Sequence, residues 1–350
     1  MVQNQFGTLI DTFFYSKYLR DRFNITIICW DYSLKKQMMD GVDIIYISRN
    51  GNIIQRNVRY IYESYNWLKR NPSNVCFIKH FRGCSILKLL LPRLKFVFDI
   101  RTASVSTKPH TRFIYDKAMM FESYFFRHIT VISESLSNKL KLSKKSYILP
   151  LGSEAISNTT KTFDSLRLLY VGTLDARDID KTVSAFAKFY KHNKNVIKMN
   201  YTIVGDGPGD EIEQLKTIVE KNSLSDVVNI VGRVPFTELK PYFDTHNIGV
   251  SFVPLTEYFD SQPVTKTFDY LLSGMPVVAT ATSENKIVIS SSNGVLINDT
   301  VESFYKGLKE IWHEKESYNS DQIVSMSSKY NWSDIVDNLG DYLNKVSISK

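Results

Sequence analysis

Residues 263–280 read Pro-Val-Thr-Lys-Thr-Phe-Asp-Tyr-Leu-Leu-Ser-Gly-Met-Pro-Val-Val-Ala-Thr. Pro263 predicts the start of a helix, because its fixed φ suits a first turn and the N–H it lacks would have had no partner there. The unpaired N–H groups and the dipole of that end favour an anion. Lys266 adds positive charge to it, and Asp269 follows on the same side one turn later. Gly274 predicts the helix stop, Pro276 bars its return, and Val277-Val278-Ala279 reads as a buried strand. A cationic helix end with a carboxylate one turn along suits a diphosphate joined to hydroxyl-bearing groups, as in a nucleotide sugar.

Outward from this stretch the chain alternates. Apolar strand-like runs recur at Leu166 to Val171, Tyr201 to Val204, Val227 to Val231, Ile248 to Val253, Pro276 to Ala279 and Val295 to Ile297. Helical patterns separate them at Lys181 to Tyr190, Glu211 to Lys221, Thr237 to Asp244 and Val301 to Trp312. Such alternation predicts a parallel sheet covered on both faces, with ligands at the carboxyl ends of the strands. The amino-terminal half repeats the rhythm, with strands near Ile25 to Cys29, Asp43 to Ile47, Val75 to Ile78, Lys95 to Phe98 and Ile129 to Ile132. Its opening departs from the pattern, since Gly7 to Arg20 reads as a loop and a first helix. The usual first strand is expected to be missing. Leu149-Pro150-Leu151-Gly152 is the best linker, giving an amino-terminal domain over 1–152, a second domain over 153–330, and a helix over 331–350 that is expected to cross back to the first.

Three loops should meet at one edge of the second domain: Gly172 to Arg177, Gly205 to Gly209, and Gly232 to Pro235. Arg177 and Lys266 are the candidates to contact two phosphates, since charge-assisted hydrogen bonds are about twice as strong as neutral ones. Each has a plainer alternative. Arg177 could pair with Asp175 or Asp180, Lys266 and Asp269 could be ordinary helix residues, and the glycines of 205–209 could form an empty turn. Gly205 to Asp210 lacks the sixth glycine of a dinucleotide fingerprint. Asp178-Ile179-Asp180 reads as a helix cap rather than a metal clamp, and the six histidines show no metal-ligand spacing. No metal and no cofactor are expected.

The 350 residues carry a net charge of +8, but unevenly. Residues 1–153 hold 24 Lys/Arg against 10 Asp/Glu, whereas 154–350 hold 20 against 26, so the halves are +14 and −6. The basic half, interleaved with aromatic and aliphatic side chains, suits an anionic membrane surface. Nucleic acid is a distant alternative, because no recognition motif accompanies the charge. Three cysteines, an odd number, and no apolar run of the roughly 18 residues that span a bilayer lead to the expectation of a cytoplasmic, peripheral protein.

Four segments carry a resemblance in order: Tyr-Val-Gly-Thr-Leu (170–174), Ile-Val-Gly-Asp-Gly-Pro (203–208), Gly-Arg-Val-Pro (232–235) and Lys-Thr-Phe-Asp-Tyr-Leu-Leu-Ser-Gly-Met-Pro-Val-Val-Ala (266–279). The chain resembles the retaining glycosyltransferases of family 4, the glycosyl transferases group 1, with weaker similarity reaching Tyr330-Asn331-Trp332. That likeness implies an α/β chain of GT-B fold, with two Rossmann-like doubly wound domains facing a central cleft.

Carried over by position, Asp269 stands where the family's second motif glutamate holds ribose hydroxyls, and Ser261 where the first would contact the donor sugar. Asp260 or Gln262 could replace it. Val264 and Thr265 lie on the diphosphate-binding helix end with Lys266. Thr173 replaces a family arginine, and Arg177 is the best match for the phosphate-binding cation. Arg233 and Val234 fall where the loop meets the base, and Gly7 in the glycine-rich loop near sugar and phosphates. Where many members carry an active-site histidine, this chain has Asp99-Ile100-Arg101, so Asp99 and Arg101 are candidates for sugar or acceptor contacts, or for a structural salt bridge.

The implied function is transfer of a sugar from a nucleoside-diphosphate sugar to a glycan or lipid-linked acceptor with retained configuration, in cell-surface polysaccharide or lipopolysaccharide synthesis. The competing readings are a nucleotide-sugar epimerase and a non-catalytic transferase-like partner subunit.

Overall fold

The computed structural model describes residues 10–33, 36, 38–104 and 108–349. Gly7, the glycine-rich-loop candidate, lies outside them. The chain divides into two compact units.

The amino-terminal unit contains α1 (Ile10–Leu19), β1 (Ile25–Asp31), β2 (Val42–Ser48), α2 (Ile53–Arg70), β3 (Val75–Lys79), α3 (Cys84–Leu90), β4 (Lys95–Ile100), α4 (Pro109–Ser123), β5 (His128–Val131), α5 (Glu134–Lys139) and β6 (Ser146–Ile148). Capping starts α2 sharply: Asn52 accepts from the N–H groups of Ile54 and Gln55, while Gln55 accepts from Asn52 N–H. Among the described residues no strand precedes α1. The sheet comes in two parallel pieces, β1-β2 and β3-β4-β5-β6, so among the described residues β1, β2, β3 and β6 each keep one unpaired edge. The periodicity did not foretell β6, a strand of only three residues. The last helix, Trp332–Ile348, also belongs to this unit. Trp332 stacks on Phe14 of α1 at 5.1 Å, and Arg22 bonds Asp341 at 2.6 Å.

The carboxyl-terminal unit, Gly152–Asn331, runs β7 (Leu166–Val171), α6 (Ile179–Asn193), β8 (Met199–Val204), α7 (Glu211–Lys221), β9 (Val228–Gly232), α8 (Lys240–Thr245), β10 (Ile248–Ser251), α9 (Glu257–Asp260), α10 (Thr265–Leu272), β11 (Val277–Thr280), α11 (Ser283–Val288), β12 (Gly294–Ile297), α12 (Val301–His313) and α13 (Ser320–Ser327). Its six strands are all parallel, in the order β12-β11-β10-β7-β8-β9. Every residue of β10 and β11 is buried, as expected for strands sandwiched between helical layers. The chain progresses outward from β7 through β8 to β9, then returns to the other side of β7 at β10. That reversal opens a crevice at the carboxyl ends of β7 and β10, where open α/β sheets bind ligands.

Two expected elements differ. The helix proposed for Thr237 to Asp244 is a 3-10 turn, Phe236–Glu238, followed by α8, with Pro241 inside its first turn. The helix expected from Pro263 begins at Thr265, with Val264 extended at its cap, so Pro263 lies before the helix rather than in its first turn. Its end matches expectation. Gly274 takes φ +70°, Met275 N–H bonds Tyr270 C=O and Gly274 N–H bonds Leu271 C=O, which together make a Schellman stop.

Candidate active site

The three glycine-led loops are knitted at one sheet edge by their backbones. Gly172 N–H donates to Val204 C=O, Leu174 N–H to Asp206 C=O, and Gly205 N–H to Gly232 C=O. A side chain would not fit between the first two: a β-carbon on Gly205 would fall 1.8 Å from Gly172 O. Helix α10 abuts this edge from the β10 side. Its Thr267 hydroxyl lies 2.7 Å from Ser251 Oγ on β10 and 3.1 Å from Asn285 Oδ1, and Asn285 Nδ2 donates to Thr280 C=O. This buried polar network fixes where the amino end of α10 points. Among the described residues no side chain caps that end.

Lys266 is buried in the first turn of α10, with Nζ 3.7 Å from the centre of the Tyr170 ring. Among the described residues Nζ has no hydrogen-bond partner. Burial, reinforced by the nearby Arg177 charge, pushes its pKa well below that of an ordinary lysine. Asp269, one turn on, accepts a hydrogen bond from the Ser153 hydroxyl, and its pKa is pushed up to about 7 by burial against the opposing pull of Ser153 and Lys266. Arg177 lies with its guanidinium 4.1 Å from the centre of the Phe259 ring and makes no carboxylate ion pair among the described residues. It sits between Ala176 and Asp178, both in left-handed backbone conformation at φ 52° and 50°. Two such non-glycine residues in succession around one cation mark a loop held in strain by its surroundings.

The structure thus gathers Arg177, Lys266, Asp269, Val264 and Thr265 at the β7–β10 crevice. Thr173, exposed on the same loop as Arg177, donates to Asp206 C=O, and its own carbonyl accepts from Tyr170. Gly205 supplies the close approach described above. Arg233 and Val234 stand after β9, two strands from β7, the first exposed and the second half-buried. Ser261 is buried at the end of α9. Asp260, the alternative to the missing glutamate, accepts from Ser283 with both oxygens, one from its N–H and one from its hydroxyl. Asp178 does not cap α6 with its side chain as expected; it pairs with Lys181 at 2.8 Å instead, since its left-handed backbone turns the carboxylate away from the helix N–H groups. No group of three His, Cys, Asp or Glu residues able to hold a metal occurs among the described residues.

Asp99 and Arg101 belong to the amino-terminal unit and form part of a buried ionic cluster. Arg101 Nε donates to Asp11 Oδ2 at 2.8 Å and its Nη1 to Leu149 C=O, while Lys79 lies 3.4 Å from the same Asp11 oxygen. Asp99 is fully buried and accepts from Thr130 at 2.6 Å. These contacts tie α1 to the carboxyl ends of β3 and β4. Residue types and spacing gave no sign of Tyr170, Phe259, Ser153 or the Ser251–Thr267–Asn285 network, which read as ordinary strand, aromatic or hydroxyl positions.

Residues 165–314 match the family model of the glycosyl transferases group 1. The carboxyl-terminal unit carries a glycosyltransferase domain. The fold of the chain is GT-B, and solved structures of that kind align over nearly all of it. Sucrose-phosphate synthase from Thermosynechococcus elongatus matches with TM-score 0.76 at 14% identity, covering 95% of this chain and 91% of that one. Anabaena Alr3699/HepE, in complex with UDP and glucose, matches with TM-score 0.74 at 11% identity, covering 95% of each. The apo form of the lipopolysaccharide outer core galactosyltransferase WaaB matches with TM-score 0.73 at 13% identity, covering 98% and 96%. A search of the curated proteins returned no match. No helix of the chain, among the described residues, is long and apolar enough to cross a membrane.

Proposed function

We propose that this glycosyltransferase takes its sugar from a nucleoside-diphosphate donor and passes it, with retained configuration, to a glycan or lipid-linked acceptor in cell-surface polysaccharide or lipopolysaccharide synthesis on the cytoplasmic side of the membrane. The observation that carries the donor reading is the buried Lys266 amino group at the amino end of α10, without a hydrogen-bond partner among the described residues and with Arg177 close by. Charging a buried amine is costly unless an anion arrives to pair with it. A diphosphate does so, and it is also the group on which negative charge grows as the glycosidic bond to the donor breaks. Lys266, Arg177 and the helix dipole would stabilise that charge in the transition state. Asp269, one turn further, would accept hydrogen bonds from the ribose hydroxyls. The reported UDP complex of HepE supports a nucleoside diphosphate as donor class. Retention fits attack on the face the leaving phosphate vacates, with the phosphate oxygen guiding the acceptor hydroxyl.

A non-catalytic partner subunit is the second reading, favoured by Ser261 and by the engagement of Asp260 with Ser283. One experiment separates the two. Thermal shift of the full chain against a panel of nucleotide sugars should give one stabilising donor, and at about 100 times its dissociation constant the gain is about 2.7 kcal/mol. Arg177→Ala and Asp269→Ala should abolish the shift. No shift with any donor, or an unchanged shift in both variants, refutes the assignment.

A further inference from the structure

Both basic side chains of the candidate site rest on aromatic rings, and the two rings come from different elements. Lys266 Nζ lies 3.7 Å from the centre of Tyr170, on β7, and the Arg177 guanidinium 4.1 Å from the centre of Phe259, on α9. Tyr170 is a fully buried strand residue whose place the core already dictates. Phe259 is different, because it stands on a helix of four residues that the core does not dictate.

Short as it is, α9 is held from two sides. Just before it, Leu255 N–H donates to Asp299 Oδ2 at 2.9 Å, and Asp299 follows β12. At its end, Asp260 accepts from the N–H of Ser283 at 2.8 Å and from its hydroxyl at 2.6 Å, and Ser283 follows β11. The segments after β10, β11 and β12 thus carry Phe259 as one piece. Its ring is 8% exposed, with the ring of Tyr258 at 4.4 Å.

Arg177 has little else to hold it. Its one hydrogen bond among the described residues is Nη1 to Ala176 C=O at 3.5 Å, the outer limit for such a bond. It makes no ion pair with Asp175 or Asp180, its expected surface partners. A free arginine side chain has many rotamers, and ordering it when an anion arrives would subtract from affinity. A carboxylate would order it beforehand, but would also neutralise its charge and occupy its N–H donors. The face of a phenyl ring attracts a guanidinium without doing either.

We propose that Phe259 is a positioning residue for donor binding: its ring face holds the Arg177 guanidinium at the β7–β10 crevice in advance, leaving its charge and its donors for the diphosphate. The assignment rests on the donor reading above and adds to it a residue that touches no substrate. The bracing of α9 by Asp260 and Asp299 is then what gives the ring a fixed place.

The test is a double-mutant cycle on the full chain, read by calorimetry with UDP, GDP, ADP and dTDP, which share the diphosphate. For the nucleotide that binds most tightly, Phe259→Leu should weaken affinity about three- to thirtyfold, the range of a partly desolvated cation–π contact. Phe259→Tyr, which keeps the ring face, should restore it to within about twofold. In an Arg177→Met background Phe259→Leu should change affinity by less than twofold, because no guanidinium remains to be placed. If Phe259→Leu does not fold, Phe259→Met fills the same space without a ring face and completes the cycle. Equal losses in both backgrounds would make Phe259 a packing residue and overturn the proposal, as would an unchanged affinity in Phe259→Leu or a loss in Phe259→Tyr as large as that in Phe259→Leu. Those outcomes leave the donor reading standing, whereas a wild type that binds none of the four nucleotides refutes both.

Discussion

The side chain of Lys266 fills the space that a β-carbon would take at Gly172: an atom there would lie 2.8 Å from Nζ and 3.1 Å from Cε. The glycine, at φ +151°, lets the ammonium reach the face of Tyr170 beneath the β7 loop. The residues are 94 apart in sequence, and neither explains the other until β7 and α10 are side by side.

Gly172→Ala should therefore displace Lys266 as well as strain the loop. Donor affinity, measured by calorimetry, is expected to fall at least tenfold while the fold persists. Gly205→Ala is harsher, because its β-carbon meets backbone rather than a flexible chain end. It should cost about 1–3 kcal/mol of stability in urea denaturation.

Donor binding should take up a proton. Burial holds Lys266 below the usual lysine pKa, and a diphosphate beside it restores the charge. The apparent binding enthalpy should then depend on the ionisation heat of the buffer, and Lys266→Met should remove that dependence. Equal enthalpies in every buffer for the wild type would rule the coupling out.

Asp269 gives stability a pH dependence of defined sign. Its folded pKa, about 7, lies above the unfolded carboxylate value, so between roughly pH 4 and 7 the native state binds more protons than the unfolded one. Stability is fullest below the unfolded value and declines as pH rises through that window, by at most about 1.4 kcal/mol per unit from this group. Asp269→Asn should flatten that part of the curve measured by thermal unfolding.

Thr267→Val should loosen the amino end of α10. It leaves Ser251 Oγ and Asn285 Oδ1 without their shared partner in a buried setting, at a cost of about 1–3 kcal/mol. Urea denaturation reads the stability loss, and weaker donor binding would accompany it because the helix end no longer has a fixed direction.

Asp11→Asn tests the ionic cluster of the amino-terminal unit. The buried Arg101 and Lys79 would lose their common carboxylate, and breaking such a pair costs about 3–5 kcal/mol. A large drop in thermal midpoint is expected. An unchanged midpoint with reduced turnover would instead assign the cluster to substrate contacts.

The amino-acid sequence alone determined most of the regular structure of the carboxyl-terminal unit. Leu166–Val171 and Glu211–Lys221 could be read to the residue, because fully covered parallel strands are continuous apolar runs and the helices between them are amphipathic. The Gly274 stop was equally legible, since a left-handed backbone selects glycine. Lys266 and Asp269 stood out as a charged pair at a helix end.

Tertiary structure alone decided what those groups do. The burial of Lys266 without a hydrogen-bond partner among the described residues, the Ser153 hydroxyl on Asp269, and the Phe259 ring under Arg177 all arise from segments far apart in the chain. So does the engagement of Asp260 by Ser283. Periodicity reports which face of an element is apolar; the state of a titratable group depends on which other faces close over it.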